Sequence, residues 1–135
     1  MKPQTADYLV AADKALSDAK RILAIDSPDQ AARLVYYAAF HAAQALIFEH
    51  GDKASKTHKG VKSQFARLAK SDPRIDQSLP TFLARAYQMK TTADYESGKG
   101  KSITAADART AIATAEHFVA VLEQVLSSPP THAAP

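Results

Sequence analysis

The sequence predicts an all-α fold, an antiparallel up-and-down bundle of four long helices plus one short helix, on three observations. Only 4 of the 135 residues are glycine while alanine is abundant, a composition that favours helix over strand. Apolar residues recur every three or four positions along most of the chain. Capping and breaking residues divide that pattern into segments joined by short connections, and helices joined in this way pack as antiparallel neighbours.

Each helix has its own signals. Thr5 is read as the cap of the first, in which Tyr8, Leu9, Ala12, Ala15, Leu16, Ala19, Ile22 and Leu23 follow a period near 3.6. Ser27-Pro28-Asp29-Gln30 then offers an N-cap serine, a proline at the first helical position and a glutamine at the capping-box position. The second helix is expected to run to His50, with Gly51 as its left-handed stop. Its apolar residues cover nearly every side, so it is expected to be the central helix, with Tyr36, Phe40 and Leu46 in the interior.

Thr57 can cap a short third helix that turns Val61, Phe65 and Leu68 inward and its lysines outward, and Asp72-Pro73 closes it. The fourth helix reaches Tyr95 and presents Leu79, Phe82, Leu83, Ala86, Tyr87 and Ala93 on one face. Pro80 is tolerable only in a first turn, which puts the start near Ser78. A flexible basic loop, Ser97-Gly98-Lys99-Gly100-Lys101-Ser102, precedes a last helix capped by Thr104 with Asp107. The inner stripe of that helix is read as Ala108, Ile112, Ala115, Val119, Leu122 and Leu126. The bundle is assigned to 1–127, and the proline-rich stretch 128–135 to a disordered tail.

The length supports one domain, and 46% hydrophobic with 23% charged residues is an ordinary globular composition. No cysteine is present, which excludes disulfides, thiolate zinc sites and a cysteine nucleophile. No apolar run approaches the roughly 18 residues of a membrane span, and the amino end has no signal-peptide pattern, so a cytoplasmic protein without a membrane role is expected. The net charge is only +3, yet Lys53, Lys56, Lys59, Lys62, Arg67, Lys70 and Arg74 are opposed between positions 53 and 74 by Asp72 alone. Such a segment is either a solvated helix face or the footprint of a phosphate-bearing or acidic partner.

Several chemistries are disfavoured by spacing. Gly100-Lys101-Ser102 has the ending of a phosphate-binding loop, but Tyr95 stands where the first glycine is required. His41, His50, His58, His117 and His132 include no pair three or four residues apart, so no metal site is expected, and no motif asks for a cofactor. No serine occupies a nucleophile elbow. On the second helix, Arg33, Tyr37, His41 and Gln44 fall within roughly 80° of one another and interrupt the apolar surface. This stripe is either the floor of a polar groove or a set of register-fixing hydrogen bonds.

Three motifs occur in order: Tyr36-Tyr37-Ala38-Ala39-Phe40-His41-Ala42-Ala43 followed by Gly51, then Lys56-Thr57-His58-Lys59-Gly60-Val61, then Ala93-Asp94-Tyr95. In spacing and identity the chain resembles the bacterial and archaeal HEPN-domain proteins from about Thr5 to Leu126. Many members are ribonucleases or toxin-antitoxin components encoded beside a minimal nucleotidyltransferase. The resemblance therefore implies an RNA or nucleotide ligand, a nucleotidyltransferase partner and a homodimer. Ribonuclease members carry an arginine and, four to six residues later, a histidine near the end of a long helix. The corresponding stretch here is Lys90-Thr91-Thr92-Ala93-Asp94-Tyr95, which has neither.

Metal-independent RNA cleavage needs a group to take the 2′-hydroxyl proton, a cation for the phosphorane and an acid for the leaving oxygen. The groups available for those roles are His58, Lys90, Asp94 and Tyr95, with Lys56, His58, Lys59 and Lys62 expected to meet phosphates and Arg33, Tyr37 and His41 to line a groove. Asp94 has a structural alternative as an acceptor from a neighbouring helix, Tyr95 as a ring packed at the helix end, His58 as a residue bonded to a nearby loop, and Lys90 as a solvated lysine. A second function class is a non-catalytic helical module for dimerisation and partner docking.

Overall fold

The computed structural model describes residues 1–95 and 102–128. The basic loop at 97–101 and the tail beyond Ser128 lie outside them. Five helices are present, α1 (Pro3–Ala24), α2 (Pro28–Gly51), α3 (His58–Ser71), α4 (Ser78–Tyr95) and α5 (Ala105–Ser127), and no strand occurs among the described residues. The protein is all-α.

Contacts between helix ends give the directions. Thr5, at the start of α1, meets Glu49 near the end of α2, and Asp94, at the end of α4, meets Arg33 near the start of α2. Both helices therefore run antiparallel to α2. Helix α5 runs parallel to it, because the Ile103 N–H donates to Asp29 at the start of α2, while Val125 and Leu126 share a cavity with Glu49 and His50 at its end. The long helices thus alternate in direction, and α2 packs against all four others. Seven alanines of α2, Ala31, Ala32, Ala38, Ala39, Ala42, Ala43 and Ala45, are fully buried. Their short side chains let the neighbouring helices approach closely. Phe65, Phe82 and Phe118 join α3, α4 and α5, with ring centroids 5.5 and 5.9 Å from Phe118.

The caps at Thr57 and Thr104 form as read: their hydroxyl oxygens accept from the Gly60 and Asp107 N–H groups. Other expectations are corrected. Helix α1 begins at Pro3, so Thr5 is not its cap; it is fully buried and donates its hydroxyl to Glu49 at 2.8 Å. Ser27 precedes α2 but makes no side-chain cap bond. Gly51 is still helical, and Asp52 takes the left-handed conformation at φ 61°. Phe40 is only partly buried, and Tyr87 is 36% exposed. Phe118, absent from the expected inner stripe of α5, is 1% exposed.

Glu49 supplies from α2 what the start of α1 lacks. Its carboxylate accepts from the Lys2 backbone N–H at 2.9 Å as well as from Thr5, and the Lys2 ammonium donates to the Glu49 carbonyl and pairs with Asp52. A negative charge here also faces the positive end of the α1 dipole. The Lys2 N–H, with the Thr5 hydroxyl, holds the Glu49 carboxyl below the ordinary 4.5. A depressed carboxyl pKa stabilises the fold above the unfolded value, and that contribution disappears as pH falls through the folded value. Glu49→Gln is therefore expected to lose about 1 kcal/mol at pH 7. It should also lose less stability than the parent below pH 4.5. Denaturant melts at pH 7 and pH 3.5 check this, and an equal acid loss in both proteins would refute it.

Candidate functional site

The polar stripe of α2 does not form one groove floor; the structure divides it into two anchoring groups with an exposed tyrosine between. At the first, Arg33 Nε donates to Asp94 Oδ1 at 2.6 Å and its Nη2 to the Ala93 carbonyl at 2.8 Å. Lys90 Nζ reaches Asp94 Oδ2 at 2.6 Å from one turn earlier on α4. Hydrogen bonds from Lys90 and then Arg33 hold the Asp94 carboxyl below its ordinary range, and the Asp94 carboxylate raises Lys90 in turn. The result is one carboxylate between two cations at the joint of α2 and α4.

The second group fixes the connection between α2 and α3. His41 Nδ1 lies 2.9 Å from Gln44 Oε1, and Gln44 Nε2 donates to the Ser55 carbonyl at 2.9 Å. The Ser55 N–H donates to Gln64 Oε1 at 3.1 Å, and its hydroxyl meets the Thr57 hydroxyl and N–H. Gln44 is only 4% exposed, so its two amide bonds satisfy a polar group that the core would otherwise penalise. The loop then folds tightly over the first turn of α3: a Cβ at Gly60 would stand 2.1 Å from Ser55 Oγ. This packing accounts for a glycine inside the motif.

His58, the first residue of α3, is presented by that loop. Its ring stacks on Tyr87 of α4, with centroids 3.6 Å apart and planes 8° from parallel, and its Nδ1 lies 3.0 Å from the Tyr36 hydroxyl. Burial, with the nearby Lys62 ammonium, lowers the His58 pKa below 6.5. Burial likewise pushes the Tyr36 phenol far above its ordinary value. Tyr36 also touches the rings of Tyr37, Phe40 and Tyr87 at 5.4–5.6 Å.

Of the residues read as catalytic, Lys90 and Asp94 come together with Arg33, whereas His58 joins a separate aromatic group. Tyr87, Lys90 and Asp94 follow one another at helical spacings of three and four, so both groups lie along one face of α4. Tyr95 ends that helix 71% exposed, and no ring contact involves it among the described residues. Tyr37 is 40% exposed. Lys56, Lys59 and Lys62 are exposed and make no ion pair among the described residues. Sequence reasoning missed Tyr87, which it turned inward, and Ser55 and Gln64. The spacing of Tyr87, Lys90 and Asp94 was a signal for the first; nothing in the sequence pointed to the other two.

Among the described residues, no group of three or more histidine, aspartate and glutamate side chains could hold a metal ion, and His132 lies outside them. Nor is any described helix long and apolar enough to cross a membrane. No curated protein matches the chain. The model of the HEPN domain family, however, matches residues 5–125, from the buried Thr5 to the last buried residue of α5, and takes in both anchoring groups and the aromatic stack. With nearly its whole length covered in this way, the chain belongs to the HEPN family.

Proposed function

We propose that this protein binds RNA or a nucleotide on the face formed by α2, α4 and the start of α3, as the HEPN component of a toxin-antitoxin or defence-like module with a nucleotidyltransferase partner. The observation that carries the reading is the side-by-side arrangement of part-exposed rings and cations. Tyr37 and Tyr87 offer aromatic faces at 40% and 36% exposure, and the exposed Lys56, Lys59 and Lys62, which make no ion pair among the described residues, flank His58 in the chain, with Lys62 close enough to act on its ring. Rings accept bases by stacking and lysines accept phosphates, a combination common to single-stranded nucleic-acid sites. The Arg33–Asp94–Lys90 group adds one net positive charge at the far end. The same reading includes a homodimer, since a two-fold arrangement doubles a shallow basic face.

A second reading, a non-catalytic dimerisation and docking module, is favoured by Asp94. Its carboxylate is ionised and held by two cations, so it has no proton to give and is a weakened acceptor. Lysine at Lys90 supplies charge without the planar donor fork of arginine.

Three outcomes are expected. Affinity for labelled oligoribonucleotides falls with salt, and replacing Lys56, Lys59 and Lys62 by glutamine lowers the slope of log affinity on log salt by roughly 2, at about 0.7 per phosphate contact. The loss is similar across sequences, and unchanged binding would move the site elsewhere. The isolated metal-free protein cleaves structured and single-stranded RNA weakly or not at all; robust cleavage that vanishes in His58→Ala or Tyr95→Phe would overturn this. Sedimentation at micromolar concentration gives a dimer, and a monomer would refute the two-fold arrangement.

A further inference from the structure

We infer that Tyr36 is a positioning residue that holds His58 as the neutral tautomer protonated on Nε2, making the ring a fixed hydrogen-bond donor to an acceptor oxygen of the ligand. Donor and acceptor counting assigns the tautomer. Tyr36 Oη and His58 Nδ1 are 3.0 Å apart, and one of the two must donate. If Nδ1 carried the proton, the Tyr36 hydroxyl hydrogen would need another acceptor. Tyr36 is 4% exposed, its ring lies among Tyr37, Phe40, His58 and Tyr87, and its hydroxyl has no second partner among the described residues. The hydroxyl therefore donates to Nδ1, and the ring proton sits on Nε2.

The second nitrogen is available. Nε2 makes no hydrogen bond among the described residues, yet none of their buried side-chain nitrogens or oxygens lacks a partner, so Nε2 reaches solvent. The ring itself cannot turn freely, because its face lies flat on Tyr87. Burial and Lys62 keep it neutral at physiological pH, and Tyr36 and Tyr87, from α2 and α4, bring no charge that opposes this. A neutral ring whose only lone pair is occupied by Tyr36 is a poor proton acceptor, whereas its outward N–H suits a phosphate or carbonyl oxygen. The tautomer stands on this counting alone; the donor role toward a ligand rests on the binding reading above.

Two measurements test the two parts. Long-range proton–nitrogen spectra of the full chain with labelled histidine, at pH 8, read the tautomer. The parent should show His58 protonated on Nε2 and unprotonated on Nδ1, and Tyr36→Phe should shift it to a mixture while circular dichroism shows the helices intact. A parent protonated on Nδ1, or a Tyr36→Phe protein with the parent's ratio, would overturn the assignment. Fluorescence anisotropy with a single-stranded oligouridylate at pH 8 reads the donor. His58→Phe, which keeps a flat ring without the N–H, should weaken binding about tenfold, and His58→Gln, which restores a donor, should recover most of that loss. Equal weakening by both substitutions, or none by His58→Phe, would refute the donor role. No binding by the parent would refute that role together with the binding reading, and the spectra would still decide what Tyr36 does.

Discussion

Helix α2 packs against all four other helices, and their placement follows from what it presents to each. A helix packed on by so many neighbours must be apolar on most of its surface, and any polar group it buries must find a partner inside the protein. The alanines meet the first requirement by allowing close approach on every side. The second is met residue by residue: Arg33 at Asp94, Tyr36 at His58, Gln44 at Ser55, Glu49 at Lys2 and Thr5. Each of these bonds reaches a different segment. The polar residues of α2 thereby fix where the end of α4, the start of α3, the α2–α3 loop and the start of α1 must lie.

That division of labour limits the chemistry of the exposed face. Arg33 and Asp94 are spent largely on each other, and Lys90 completes the pair rather than standing free. Desolvation is modest at this partly exposed joint, so its value lies less in net stability than in geometry. The last turn of α4 is held against α2, and the Tyr36 and Tyr87 rings that meet between the two helices are kept in register. Among the described residues, what is left uncommitted is aromatic and cationic: Tyr37, the outer face of Tyr87, Nε2 of His58 and the lysines of α3. Those groups can stack, donate hydrogen bonds and neutralise phosphates, while proton removal has no well-placed candidate among them.

The contact between His58 and Tyr87 shows how local signals and tertiary packing combine. Thr57 caps α3 and Gly60 lets Ser55 fold over its first turn, both local properties of the motif. They bring His58 to the edge of α4, but the stacking partner and the hydroxyl that meets Nδ1 come from residues 29 positions later and 22 earlier in the chain. The ring's orientation is thus a joint product of three helices.

The helices are legible in the chain's local pattern. Periodicity, the caps at Thr57 and Thr104, the breaker at Pro73 and the first-turn proline at Pro80 are local in origin, and local sterics and hydrogen bonding were enough to locate them. The three ordered motifs were also enough to reach the family. The partners of the polar side chains emerge from long-range packing. Thr5 has the chemistry of a cap, and the sequence holds no sign that Glu49, 44 residues away, accepts its proton instead. Tyr87 fits an apolar stripe as well as a surface stack, and the choice depends on where His58 arrives. Arg33, Tyr37, His41 and Gln44 share one side of α2, yet they separate because α4 and the α2–α3 loop approach that side at different heights. Helical periodicity encodes the side of a helix on which a residue lies, but the identity of what packs there follows from the closure of distant segments.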